Sequence, residues 1–122
     1  MGAWDKGPYD NDDAAELLED IREGELYLDE LLPDAGTRYI EADQGSMIVA
    51  LAHLAAGDLP EDGGIEESMI SNLQTPENKD RLRQGLEAVL SGDTVSELHE
   101  LWSGAGEEEL LAWKAKSFID LS

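Results

Sequence analysis

The side chains that could do acid–base or metal chemistry in this sequence are two histidines and several carboxylates. His53 and His99 are the only histidines among the 122 residues, and histidine is the side chain that ordinarily changes charge near neutral pH. Both lie among apolar residues at helical spacing, where a histidine is more often a core residue with bonded ring nitrogens. With a carboxylate from residues 10–13 or Glu97, they define an alternative function, a small metal-dependent or hydrolase-like enzyme.

Four consecutive polar residues, Asp10 to Asp13, resemble the start of a calcium-binding loop. Such a loop requires an oxygen ligand at its fifth position, glycine at its sixth and glutamate at its twelfth. Counted from Asp10, these positions hold two alanines and an isoleucine. The aspartates are therefore interpreted as capping residues of a helix, and neither a metal site nor a cofactor is predicted.

Nucleophile motifs are missing from the sequence. There is no cysteine, which excludes a thiolate nucleophile, a disulfide and a cysteine-based zinc site. Neither Gly-x-Ser-x-Gly nor Ser-x-x-Lys occurs. The glycine-rich run at 103–106 precedes three glutamates, which would repel a phosphate. No catalytic residue is predicted. The candidate binding residues are Trp4, Asp10, Asn11, Asp12, His53, Glu97, His99 and Trp102.

The charge balance limits the partners. The chain has 29 acidic and 8 basic residues, a net charge of −21, so direct binding to nucleic acid or to an anionic membrane is disfavoured. The acidity has three interpretations: solubility or adaptation to salt, an acidic face that docks a basic partner protein, or mimicry of nucleic acid. The first functional hypothesis is a non-enzymatic interaction protein that docks a basic partner.

Length and composition predict a single domain, residues 1–122. There is no basic region followed by an apolar run at the N-terminus, as a signal peptide would have. No apolar run approaches the roughly twenty residues of a membrane span. We therefore expect a soluble, cytoplasmic protein, and the sequence leaves its oligomeric state open.

Apolar spacing predicts a compact all-α bundle of five to seven helices with an ordered N-terminal turn. That turn is expected to bury Trp4 and Tyr9 against the central helix. The polar residues Asp10, Asn11, Asp12, Ser96 and Glu97 are expected to satisfy helix N-termini and the indole N–H groups.

The first predicted helix begins within 10–13 and ends near Gly24, and a second spans 25–32. A central buried helix is predicted over 47–57, where Gly45 lets neighbours approach closely and Gly57 is the C-terminal glycine; residues 59–64 are predicted to form a loop. A short helix over about 66–73 follows. The next helix has Thr75 as N-cap and Pro76 in its first turn and ends at Gly92. A further helix follows a cap at Asp93 or Thr94, and the last runs from Glu107 to about Ile119.

Two of these helices have apolar faces that can be tested directly. The first helix places its apolar residues at i, i+3, i+4 and i+7, and the last helix is expected to bury most of its apolar side chains. These are Ala14, Leu17, Leu18 and Ile21 in the first helix, and Leu110, Leu111, Trp113, Ala115 and Phe118 in the last.

Several segments resemble a bacterial family, domain of unknown function 4259. The opening Met-Gly-Ala-Trp at 1–4 and Gly-Pro-Tyr-Asp-Asn-Asp-Asp-Ala-Ala at 7–15 are similar to the family's start. Tyr-Ile-Glu at 39–41, Leu-Glu-Ala-Val-Leu at 86–90 and Ser-Glu-Leu-His-Glu-Leu-Trp at 96–102 resemble its later segments. The resemblance spans nearly the whole chain.

The sequence departs from the family pattern at three positions. Asp5 stands where glycine is usual, Tyr9 where phenylalanine is usual, and His53 where a glutamate is expected. The last departure weakens any role that needs a carboxylate at that position. The resemblance implies the family's fold and a bacterial origin, and it implies no activity.

Overall fold

The computed structural model describes residues 12–25, 39–59, 65–92 and 94–121. These residues form five α-helices, which we number in chain order: α1 Asp12–Arg22, α2 Ala42–Ala55, α3 Pro76–Ser91, α4 Glu97–Ala105 and α5 Glu107–Ser117. Two 3₁₀ segments, Glu67–Met69 and Ser71–Gln74, lie between α2 and α3. No strand occurs in these ranges, so the predicted all-α class is confirmed.

Helix α2 is the centre of the core. Its residues from Ile48 to Ala55 are all buried, and it contacts α1, α3 and α4. Gly45 allows α4 to approach closely, because a Cβ at this position would lie 3.4 Å from the Cβ of Leu98. The predicted burial of the central helix, with close packing at Gly45, is therefore confirmed.

Local capping signals fix the ends of several elements as predicted. Gly57 has a φ of +91° just after α2, a conformation that favours glycine. Thr75 caps α3 by accepting a hydrogen bond from the backbone N–H of Asn78, and Pro76 occupies the first turn. Helix α1 begins at Asp12, inside the predicted window. All four predicted apolar residues of α1 are buried: Ala14, Leu17, Leu18 and Ile21.

Two predictions before α4 were wrong. The segment around 66–73 forms two 3₁₀ turns, and an α-helix is not formed there. The N-cap of α4 is Ser96, where a cap at Asp93 or Thr94 was predicted. The reason is tertiary. Residues 94 and 95 form a turn in which the N–H groups of Val95 and Ser96 donate to the carbonyl of Gly92, and residues 95–97 then pair with Ile40, so the helix begins only after Ser96.

The prediction for the last helix assigned too many apolar side chains to its buried side. Helix α5 ends at Ser117 rather than near Ile119. Trp113 is buried, but Ala115 is exposed, Leu111 is 58% exposed and Phe118 is 62% exposed. The core side of α5 is occupied by Trp113 and Ser117 together with half-buried Leu110, so Leu111 and Phe118 point away from it.

Some predictions lie outside the described residues. These are the N-terminal turn with Trp4, Tyr9, Asp10 and Asn11, the side chain of Asp12, the helix at 25–32 beyond residue 25, and the loop at 60–64. Among the helices that are described, none combines the length and apolar character needed to cross a membrane.

Candidate functional site

The starts of α2 and α4 are joined by a short backbone pairing. The N–H of Ile40 donates to the carbonyl of Val95 at 2.7 Å, and the N–H of Glu97 donates to the carbonyl of Ile40 at 2.9 Å. Glu97 Oε1 accepts a 2.7 Å hydrogen bond from the N–H of Ala42. Ser96 Oγ accepts from the N–H of His99 at 3.2 Å. Ser96 and Glu97 therefore satisfy two helix N-termini, as predicted.

The surface beside this pairing is electronegative. Tyr39 is 41% exposed, and its hydroxyl lies 3.5 Å from Glu100 Oε2. Partial desolvation of the phenol and the charges of Glu100, Glu97 and Glu41 raise the pKa of Tyr39 above its ordinary value. Desolvation disfavours the charged phenolate, and the nearby carboxylates of the same charge disfavour it further.

His53 is 4% exposed and joins α2 to the end of α5. Its Nε2 lies 2.9 Å from the carbonyl oxygen of Ser117, and its Nδ1 lies 2.9 Å from Asp58 Oδ2. A carbonyl oxygen can only accept, so Nε2 carries a proton. His53 uses both ring nitrogens inside the protein.

His99 belongs to an aromatic cluster between α4 and α5. It is 8% exposed, and its ring meets Trp113 edge-on, with centroids 6.1 Å apart and planes at 82°. Trp113 in turn stacks on Trp102 at 6.2 Å and 13°. Aromatic pairs in these arrangements contribute about 0.5–1.5 kcal/mol beyond their burial. The cluster attaches α5 to α4.

Both histidines thus contact the same side of α5. His99 packs on Trp113 and His53 bonds to Ser117, and residues four positions apart lie on one helix face. Glu97 bonds at the start of α2, and Trp102 is part of the aromatic cluster. Of the predicted site residues, His99 and Trp102 therefore both contact Trp113, whereas Glu97 bonds to the backbone of Ala42.

Sequence reasoning missed the two partners of His53. Asp58 follows the glycine that ends α2, five residues after His53, and this short spacing was an available signal. Ser117 contributes a backbone carbonyl from 64 residues away, for which the sequence carries no signal. Its side-chain Oγ is buried and has no hydrogen-bond partner among the described residues.

Two further features could hold a ligand. Carboxylate oxygens of Asp20, Glu23 and Glu25 lie within 4.8 Å of one another at the end of α1, close enough for a metal ion, although such exposed acidic groups commonly carry none. A groove of about 150 Å³ separates α3 from the segment after α5. Leu86 and Leu90 line one of its walls and Phe118 another, and neither histidine lines it.

The fold and these contacts define a small, acidic, all-α protein in which both histidines pack against the last helix. The chain belongs to the family described as domain of unknown function (DUF4259), whose family model matches residues 2–116. The resemblance noted in the sequence is therefore confirmed. No curated protein and no solved structure shows significant similarity to the chain.

Proposed function

We propose that this protein is a non-enzymatic interaction module whose acidic surface docks a basic partner protein. The observation that carries the proposal is the outer face of α1. Glu16, Glu19, Asp20 and Glu23 follow one another at i, i+3, i+4 and i+7 on the side opposite the buried leucines. We call these four residues the α1 acidic row. Residues at this spacing share one helix face.

The row concentrates like charge in a small area. Glu16, Glu19 and Glu23 are exposed, and Asp20 is half-buried. Side chains so close repel one another, which costs the isolated protein free energy. A partner that presents lysines or arginines relieves this repulsion, and long-range attraction speeds its approach. Nucleic acid and anionic lipid would be repelled.

The enzyme alternative has weaker support. A general base or metal ligand needs a ring nitrogen that can reach a substrate or an ion. Both nitrogens of His53 are bonded to Asp58 and Ser117. His99 lies against Trp113 in a buried cluster. These contacts favour a structural role for the two histidines. The bacterial origin that the resemblance implies and the cytoplasmic location expected from the sequence fit a module that meets other soluble proteins.

The test is a pull-down with the immobilised full-length chain in moderate salt, followed by elution in a salt gradient. Charged interfaces exposed to solvent weaken as ionic strength rises. We expect the captured proteins to be basic and to elute as the salt concentration increases. Captured proteins of average charge, or capture that is indifferent to salt, would contradict an electrostatic interface.

A further inference from the structure

Helix α5 has apolar side chains on two opposite faces. Trp113 and Ser117 face the core, whereas Leu111 and Phe118 are 58% and 62% exposed. Ala115, also exposed, lies one turn after Leu111 on α5, and Phe118 directly follows the last helical residue, Ser117, with extended backbone. A helix on the surface of a protein usually presents a polar outer face. We call Leu111, Ala115 and Phe118 the α5 apolar stripe.

The charges of α5 are segregated along its length. Three glutamates, 107–109, form the first turn, and Lys114 and Lys116 stand in the last turn. These two lysines belong to the eight basic residues of the whole chain. Glu107 and Lys114 are seven residues apart, about two helical turns. They therefore lie on the same edge of the outer face, with Leu111 between them.

We propose that α5 pairs antiparallel with α5 of a second copy of this chain. In that orientation Glu107 of each copy stands opposite the second copy's Lys114, and the two Leu111 side chains meet near the two-fold axis. A symmetric interface of this type uses the same patch on both copies. A parallel arrangement would place glutamates against glutamates and lysines against lysines.

The lysines of α5 favour this occupant over a basic protein at this surface. A second copy carries the same large negative charge, so most of its surface is repelled. The C-terminal half of α5 has lysines that attract a glutamate-bearing helix end and repel a cationic partner. The apolar stripe gives the pair a contact that excludes water. The α1 acidic row takes no part, so the pairing is independent of the proposed function.

The first measurement is the molar mass of the full-length chain by light scattering across a dilution series. We expect a dimer that dissociates on dilution. A monomer at every concentration up to the solubility limit would overturn the proposal. Leu111→Asp is expected to raise the dimer dissociation constant about tenfold or more. The matched control, Leu101→Asp, changes a leucine that is 53% exposed on α4 and should leave the constant within about twofold.

The second measurement tests the antiparallel register by mixing two variants. Glu107→Lys faces Lys114 with like charge in its own homodimer, and Lys114→Glu does the same with Glu107. Each variant alone is expected to be more monomeric than the wild type, and their mixture is expected to form a heterodimer with two restored Glu–Lys pairs. Circular dichroism checks that both variants fold.

The control for charge is Glu67→Lys, at an exposed site outside both α5 and the α1 acidic row, which alters the net charge as Glu107→Lys does. Its mixture with Lys114→Glu should contain no enriched heterodimer. Equal dimerisation of the Glu107→Lys and Lys114→Glu variants alone and in mixture would contradict the antiparallel pairing. So would a Leu111→Asp variant that dimerises like the wild type.

Discussion

At the scale of single residues, the main determinant is how buried polar groups are satisfied. His53 connects the carboxyl group of Asp58, just after α2, to the carbonyl group of Ser117 at the end of α5. Its two hydrogen bonds are each 2.9 Å long. Leaving a buried acceptor without its donor costs about 1–3 kcal/mol. His53 therefore stabilises the fold by attaching the end of α5 to α2.

Replacing this histidine gives the first prediction. His53→Leu fills similar space but leaves the Ser117 carbonyl without its donor, so we expect the free energy of unfolding to fall by about 2 kcal/mol in urea titrations. The control is Ser117→Ala, which keeps the carbonyl and removes a hydroxyl with no partner among the described residues. It should change stability by less than about 1 kcal/mol. Equal losses in both variants would contradict this role of His53.

The second prediction concerns Tyr39 at high pH. Its pKa is raised from the ordinary value of 10.0 by desolvation and by nearby carboxylates. The unfolded chain therefore loses this proton first as the pH rises, so this contribution to stability is complete below about pH 10 and is lost as the pH rises through the folded-state pKa. Tyr39→Phe should flatten the fall in stability between about pH 9 and pH 11. Unfolding curves with the same pH slope in both proteins would refute this.

At the scale of elements, α2 and α4 begin together. A backbone pairing between Ile40 and Ser96 places the two N-termini side by side, and the consecutive residues Ser96 and Glu97 cap one each. The partial positive charges of two adjacent helix N-termini repel each other, and the negative carboxylate of Glu97 reduces that repulsion. The junction therefore orients the central helix relative to the helix that holds His99.

The third prediction tests this junction. Ser96→Ala removes the cap of α4 and should lower the free energy of unfolding by about 1 kcal/mol, because Ser96 is fully buried and its oxygen accepts from the His99 N–H. Ser91→Ala is the matched control, since that exposed hydroxyl bonds only the carbonyl of Ala88 within its own helix. It should have little effect. A Ser96→Ala protein as stable as the Ser91→Ala protein would contradict the capping role.

The sequence correctly predicted the ends of helices where the capping residues are adjacent to the helix in the chain. Thr75 with Pro76, and Gly57 after α2, are local signals and were read correctly. The N-cap of α4 depends on pairing with Ile40, and the exposure of Leu111 and Ala115 depends on which face of α5 meets α4. Neither is encoded within one helix turn. The candidate site was predictable only as a set of residues, because the carbonyl that binds His53 belongs to Ser117, 64 residues away in the chain.

At the scale of the whole molecule, the core and the surface have separate tasks. The buried residues of α2 hold the helices together, and the surface carries the excess of negative charge. Such a charge opposes compaction and favours solubility. If charge only provided solubility, removing a few carboxylates anywhere on the surface would have similar effects. If the α1 acidic row is a docking surface, their position matters.

The most direct test of this account is a quantitative pull-down that compares two variants with equal charge. One carries Glu16→Gln, Glu19→Gln and Glu23→Gln in the α1 acidic row, and the other carries Glu66→Gln, Glu67→Gln and Glu87→Gln on exposed sites elsewhere. We predict that the first variant loses most of the basic protein captured by the wild type, whereas the second keeps it. Equal capture by both variants would contradict the account.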